Sequence, residues 1–199
     1  MRICAIFLFS VAAVSAKCQV SDGALTAGLN ILIPTYTEFV GNTSTGFRLG
    51  YSRFKTDTFG WGFDVAYNTL DDYVPRQTYE YPGGAITTDV YNYMYHLTFL
   101  VNGQYYYKAT SRLVPYASLG AGVALTEYRL FYNVYKESDN SIGFVARPEA
   151  GLLFRFKEYG SLGLKTAVSF EYATNKNKTY ELENFSGVAF QLGIVLFNN

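Results

Sequence analysis

The chain has 199 residues, 49% of them hydrophobic, 18% aromatic and 16% charged, with 19 Tyr, 18 Gly and 5 Pro. Sixteen basic residues balance sixteen acidic ones, which excludes the basic surface that nucleic-acid binding requires. The only two cysteines, Cys4 and Cys18, lie at the amino end and leave no disulfide framework and no Cys-based metal centre, and the length is that of one domain.

The amino end reads as an export signal. Arg2 precedes the apolar run 3–13, and Val14, Ser15 and Ala16 follow as small residues for cleavage. Cleavage follows either Ala16 or Cys18, giving a signal peptide over 1–18 and a single domain over 19–199. Lys17 directly before Cys18 argues against a lipid anchor there. Removing Arg2 and Lys17 leaves 14 basic against 16 acidic residues. Beyond the signal no apolar run approaches the roughly 18 residues a spanning helix needs, so a membrane crossing must use strands of about 9–11 residues.

Eight segments alternate with period 2. Over 24–33, Leu25, Ala27, Leu29, Ile31 and Ile33 oppose Thr26, Gly28 and Asn30. Over 45–54, Phe47, Leu49 and Tyr51 oppose Gly46, Arg48, Gly50 and Ser52. After Thr58, Trp61, Phe63, Val65 and Tyr67 oppose Gly60, Gly62, Asp64, Ala66 and Asn68. Over 89–101 the tyrosines 91, 93 and 95 with Leu97 and Phe99 oppose Asn92, Met94, His96 and Thr98. The fifth, 113–131, sets Leu119, Val123 and Leu125 against Tyr116, Ser118, Gly120 and Gly122. The sixth, 142–156, sets Phe144, Leu152, Phe154 and Phe156 against Arg147, Glu149, Gly151 and Arg155, with Pro148 marking a bulge or a weak point in its ladder. The seventh, 160–172, sets Leu162, Leu164, Val168 and Phe170 against Lys165, Ala167, Ser169 and Glu171. The last sets Val188, Phe190, Leu192, Ile194 and Leu196 against Gly187, Ala189, Gln191 and Gly193.

Connections alternate in length. Segments 55–57, 108–112 and 157–159 are short turns, whereas 34–44, 69–88, 133–141 and 173–184 are longer and polar, the pattern of periplasmic turns and external loops. Aromatics gather near the turns (Phe54, Phe59, Trp61, Tyr105, Tyr106, Tyr107, Phe156, Tyr159, Phe197) and near the loops (Tyr67, Tyr91, Tyr128, Phe131, Tyr172, Phe185), as two interfacial girdles would. The polar face carries Gly, Ala, Ser and Asn rather than the crowd of charges a water-facing surface shows. It therefore suits the narrow interior of an eight-stranded barrel whose apolar face meets lipid.

The fold class expected is all-β: an eight-stranded, antiparallel, up-and-down transmembrane β-barrel. On these residues the chain resembles the small outer-membrane barrels of Gram-negative bacteria, the OmpA-type, OmpX-type and OmpW-type domains of the porin-like group. Segment 115–122, Pro-Tyr-Ala-Ser-Leu-Gly-Ala-Gly, is in the style of that group. The last strand, with Gly193, Leu196 and Phe197, is similar to the C-terminal signal read by the barrel assembly machinery, although Asn198 and Asn199 follow Phe197. The resemblance implies export to the bacterial outer membrane, contact with its lipid and lipopolysaccharide, and a monomer without cofactor.

The inward face gathers Arg48, Asp64, Arg147, Glu149, Arg155, Lys165 and Glu171, with Asn30, Asn92, His96 and Gln191 as neutral neighbours. Hairpin geometry sets Arg147 almost opposite Glu171 and brings Arg48 near Asp64. This charge network either plugs the lumen, since buried charges need partners, or exchanges partners to gate a narrow pore for small solutes. His96, with Ser118 or Ser169, is the one group that would support the lipid-modifying chemistry of some outer-membrane barrels. Tyr-rich external segments, including Tyr73, Tyr79 and Tyr81, suit contact with an extracellular protein or glycan, and Asp71-Asp72 carries too few ligands for a divalent ion. The expected function is a non-enzymatic structural or surface-interaction protein, with the gated pore as the alternative.

Overall fold

A computed structural model describes residues 23–36, 39–107, 112–157, 160–177, 179–180 and 182–198. The signal segment and Tyr159 lie outside the described residues. Eight strands, β1 (Gly23–Tyr36), β2 (Ser44–Phe54), β3 (Phe59–Tyr81), β4 (Gly84–Tyr106), β5 (Leu113–Tyr132), β6 (Tyr135–Arg155), β7 (Leu162–Ala173) and β8 (Phe185–Asn198), pair antiparallel in chain order, and β1 pairs β8 to close the ring.

The period-2 pattern decides what each face meets. Apolar side chains are exposed along the whole exterior, for example Leu29 at 57% and Leu119 at 63%, while Arg48 and Asp64 are 3% exposed inside. This inversion of the usual polarity is stable only with hydrocarbon outside, where a sheet must also close so that no backbone donor is left in lipid. From Leu25 to Ile33 the band runs about 26 Å along the strand at about 3.3 Å per residue, enough for a tilted crossing.

Closure requires close backbone approach at the last seam. Gly28 pairs with Gly193 across β1 and β8. A Cβ on Gly28 would lie 2.3 Å from the Leu192 carbonyl oxygen and 2.4 Å from the Gly193 Cα.

The wall is of unequal height. β2 follows β3 only as far as Thr45 opposite Thr69, and β7 follows β6 only to Ala173 opposite Val145. Beyond these points β3 and β4 stay paired up to Tyr81 opposite Gly84, and β5 and β6 up to Tyr132 opposite Tyr135. Segments 69–88 and 133–141 are thus not loops. They are hairpins ending in tight turns at Gly83, with φ of 109°, and at Asn133, with φ of 52°, conformations that Gly and Asn tolerate. The apolar alternation stops at the lipid boundary, but backbone pairing needs no lipid and continues with Thr, Tyr and charged side chains. In the other two connections, 34–44 and 173–184, Pro34 to Tyr36, Ser44 and Ala173 belong to strands, and the described residues 39–43, 174–177, 179–180 and 182–184 lie outside the strands, apart from an isolated bridge between Asn177 and Leu182.

Several aromatics assigned to the girdles face inward instead. Tyr106, Tyr128, Phe185 and Phe197 are buried in the lumen, and Phe54 packs on Tyr106 at 4.9 Å. Phe59, Trp61, Tyr105, Tyr107 and Phe156 do face outward at the turn end, as do Tyr91 and Tyr172 at the other. Pro148 interrupts the β6–β7 pairing without shifting its register, so it is a gap in the ladder and not a bulge.

The lumen is layered. Toward the loops lies an apolar cluster of Leu32, Phe39, Val40, Leu70, Met94 and Tyr128 with their neighbours, and Tyr180 and Leu182 pack on it from above. Toward the turns lies a second cluster that includes Tyr106, Val114, Tyr116, Leu153, Val195 and Phe197. Arg48, Asp64, Arg147, Glu149, Lys165 and Glu171 occupy the layer between.

Candidate functional site: the lumen charge chain and the outer mouth

Strand alternation points one side chain in two inward, and barrel closure brings non-adjacent strands into contact across the narrow interior. Six charged groups from β2, β3, β6 and β7 form a continuous chain. Lys165 Nζ lies 3.1 Å from Glu149 Oε1, and the other Glu149 oxygen is 2.5 Å from Arg48 Nη1, an ion contact whose angle falls outside hydrogen-bond geometry. Arg48 Nε donates to Asp64 Oδ2 at 2.6 Å, and Arg147 Nη1 donates to Asp64 Oδ1 at 2.7 Å. Arg147 Nε then donates to Glu171 Oε2 at 2.8 Å.

The sequence-expected pairs Arg48–Asp64 and Arg147–Glu171 are therefore in contact. The links Arg147–Asp64 and Arg48–Glu149 run across the lumen, between strands that are not neighbours. Three neutral groups that the sequence reading set on the polar face but did not join to the charges complete the chain: Thr98 accepts from Arg147 at 2.6 Å, Tyr116 donates to Glu149 at 2.6 Å, and Thr126 meets His96 Nδ1 at 2.8 Å. Thr98 and Thr126 share strand parity with His96 and with the inward glycines, the one signal by which they were readable. Asn30 donates to Asn68 at 2.8 Å, and Asn92 donates to the Phe39 carbonyl at 2.9 Å.

Arg155 stands apart. Its guanidinium sits over the Phe197 ring at 4.2 Å, at the turn end, and makes no ion pair among the described residues. Gly193 lines the β1–β8 seam, Leu196 faces lipid, and Phe197 closes the lower cluster.

Three cations and three anions alternate along the chain, so these six groups carry no net charge. Alternation gives each of the four inner charges, Glu149, Arg48, Asp64 and Arg147, two opposite partners and each end, Lys165 and Glu171, one, the arrangement needed to offset their desolvation. His96 Nε2 lies 2.6 Å from Glu171 Oε1, so Thr126, His96 and Glu171 form a hydroxyl–imidazole–carboxylate line. All three are almost fully buried beneath the upper apolar cluster. Both ring nitrogens are engaged, neither by Ser118 nor by Ser169, and Arg147 holds the carboxylate. The line can position a proton, and it lies beneath the side chains of the upper cluster. A small pocket beside Lys165, lined by Thr26, Ser52, Gln104, Tyr106 and Tyr116, has room for about one water.

At the outer mouth the two short loops form a lid. Phe39 meets Tyr128 edge-on at 5.3 Å and Tyr180 at 4.7 Å. Asn177 Oδ1 accepts from the backbone of Thr179 and Tyr180, and Thr179 Oγ1 donates to Asp139 on β6 at 2.8 Å, which fastens the lid to the tall wall. The Thr179 hydroxyl most of all, and after it the Asn140 backbone N–H, which donates to Asp139 Oδ1 at 2.8 Å, hold the Asp139 carboxyl below its ordinary value. Asp71 and Asp72 are consecutive strand residues and so point to opposite faces. Among the described residues no cluster of metal-ligating side chains occurs.

No family model and no curated protein matches this sequence. Solved structures do match its shape. Ail, the attachment invasion locus protein of Yersinia pestis, solved in complex with the heparin analogue sucrose octasulfate, is 12% identical with a TM-score of 0.54 over 88% of this chain and 97% of that one. Neisserial surface protein A is 16% identical, with the same TM-score and coverage. The outer membrane protease OmpT of Escherichia coli is 6% identical, with a TM-score of 0.51 over 92% of this chain and 99% of that one. Closed ring, lipid-facing exterior and these likenesses together give this chain the fold of the small outer-membrane β-barrels.

Proposed function

We propose that this protein is a non-enzymatic outer-membrane surface-recognition barrel: a sealed anchor that holds the β3–β4 and β5–β6 hairpins out to meet an extracellular partner. The observation that carries this reading is the combination of a lumen stopped by apolar clusters at both ends with strands that continue well past the lipid band. The projecting part exposes Tyr73, Tyr79, Tyr91, Val134 and Tyr135, and Tyr73 stacks on Tyr91 at 4.7 Å. Rigid, amphipathic tyrosines on a paired sheet give contact area at low ordering cost. Beyond Tyr73 the outer edge of β3 has no β2 partner, which leaves backbone groups to pair an extended segment of another protein.

Charge narrows the partner. The β3–β4 hairpin carries Asp71, Asp72, Glu80 and Asp89 against Arg76. Ail was captured with a sulfated ligand, but this acidic hairpin suits a neutral glycan or a protein rather than a polyanion. Delivery by the barrel assembly machinery through β8, with Gly193, Leu196 and Phe197, and cleavage of the signal belong to the same reading.

The gated-pore alternative requires the ion chain to exchange partners and also both apolar clusters to part. The test compares the wild type with a variant whose residues 74–90 are replaced by a two-residue turn. Both are checked for heat-modifiable migration and screened on glycan and extracellular-protein arrays. Binding retained by the wild type and lost by the shortened barrel is the expected result. Equal binding by both, or discrete channel openings in a planar bilayer, overturns the reading.

A further inference from the structure

We propose that the turn end of the barrel is a collar that selects anionic phospholipid headgroups in the inner leaflet. Its cations stand beside outward aromatics on each side of the ring. Arg53 is exposed on the outer face directly opposite Trp61 in the β2–β3 register. Lys55 follows in the first turn, where its backbone N–H donates to the Phe59 carbonyl at 2.9 Å. Arg112 directly precedes the outward Leu113, its carbonyl accepting from the Arg155 backbone N–H at 2.8 Å, and Lys157 follows the outward Phe156, all of Arg112, Leu113, Phe156 and Lys157 exposed. Among the described residues of this rim, the one exposed carboxylate is Asp57, and none of Arg53, Lys55 and Arg112 forms an ion pair with a described residue.

Position identifies the ligand chemistry. Outward Phe59, Trp61, Tyr105 and Phe154 mark the headgroup level, where aromatic girdles sit. A lipid-facing arginine is tolerated there because its stem lies along apolar surface while the guanidinium reaches the phosphate. The rim at the other end is acidic, so the cations are concentrated where one leaflet's phosphodiesters lie and not spread over the molecule. A cation near an anionic bilayer surface favours the anionic lipid about five-fold. The collar therefore holds a ring of acidic lipid around the base of the barrel and fixes its depth.

Trp61 is the single tryptophan, and it neighbours Arg53, so it reports this site directly. The wild type is refolded into phosphatidylcholine vesicles that contain the same mole fraction of a brominated lipid, either phosphatidylglycerol or phosphatidylcholine, and Trp61 quenching is compared. Expected is stronger quenching by the brominated anionic lipid, corresponding to a several-fold local enrichment. In R53Q/K55Q that preference falls toward equality, while R112Q/K157Q, on the far side, leaves the Trp61 preference intact. Heat-modifiable migration confirms that each variant is folded. Equal quenching in the wild type, or a preference unchanged in R53Q/K55Q, overturns the proposal. Loss of the preference on replacing sodium chloride by sodium phosphate at equal ionic strength assigns the site to free phosphate and overturns the lipid reading.

Discussion

Glu171→Gln isolates the charge of one link in the lumen chain while keeping its shape. Glu171 is 1% exposed and receives Arg147 at 2.8 Å and His96 at 2.6 Å. The substitution leaves three cations against two anions in a layer closed by apolar side chains. Breaking a buried pair from one side costs about 3–5 kcal/mol. Arg147 keeps Asp64 at 2.7 Å and Thr98 at 2.6 Å, which places the expected loss at the lower end, about 3 kcal/mol or more than a hundredfold in the folding equilibrium. The double variant Arg147→Met with Glu171→Gln leaves Arg48 and Lys165 against Asp64 and Glu149, again neutral, and is expected to recover at least half of that loss. Urea titration of the barrel refolded in vesicles, followed by heat-modifiable migration and Trp61 fluorescence, reads both. Single-channel recording of Glu171→Gln should stay silent, because neither apolar cluster is touched. A single variant within about 0.5 kcal/mol of wild type, a double variant worse than the single, or new channel openings would each refute the view of the chain as a neutral plug.

Three further outcomes follow from the geometry. Gly28→Ala places a methyl group 2.3 Å from backbone at the closing seam and should cost about 3 kcal/mol or more, seen as loss of the compact gel form, whereas Gly103→Ala, with nothing within 4 Å, should migrate as wild type. Phe39→Ala removes the ring shared by Tyr128 and Tyr180 at a cost of about 3–5 kcal/mol. Amide exchange should quicken at 174–177 and 182–184 but not in the β1–β8 ladder, and uniform protection would count against a lid. Asp139 has its carboxyl lowered by Thr179, so the tie contributes above the ordinary carboxylate value and is lost as pH falls through the lower folded value. Exchange at 179–180 should therefore rise only below about pH 4, and Asp139→Asn should remove that dependence; an unchanged profile in the variant would show that another group controls it.

The barrel was legible in the sequence because lipid enforces period 2 on one face, as the run from Trp61 to Tyr67 displays. Strand ends were less legible. Thr69 to Tyr81 pairs with β4 except at an irregularity over Pro75 and Arg76, yet Asp71, Arg76 and Glu80 break the apolar pattern, since water and not hydrocarbon lies beyond the lipid boundary. Inward aromatics were hidden by their nearness to the strand ends, although Tyr106 shares parity with Asn102 and Gln104 rather than with Tyr105. For the site, pairs within one hairpin followed from register. Arg147 with Asp64 did not, because that contact depends on how the closed ring brings β3 and β6 together across the lumen, which no local pattern encodes. Phe39 and Tyr180 lie in loops, where there is no period to read.

The unequal wall gives the molecule a direction. A body approaching the cell from the side of β7, β8, β1 and β2 meets a low sill and can reach down to the lid at Tyr180, while from the opposite side it meets the hairpins first. From Tyr73 to Tyr81 the β3 strand runs about 26 Å along its length, or about 20 Å in height at the usual tilt of about 40°, so a broad surface such as another cell is held off the membrane by that distance and touches only the tip. Large partners would thus be met at the crest and small ones admitted on the low side, a sorting by size set by strand length alone.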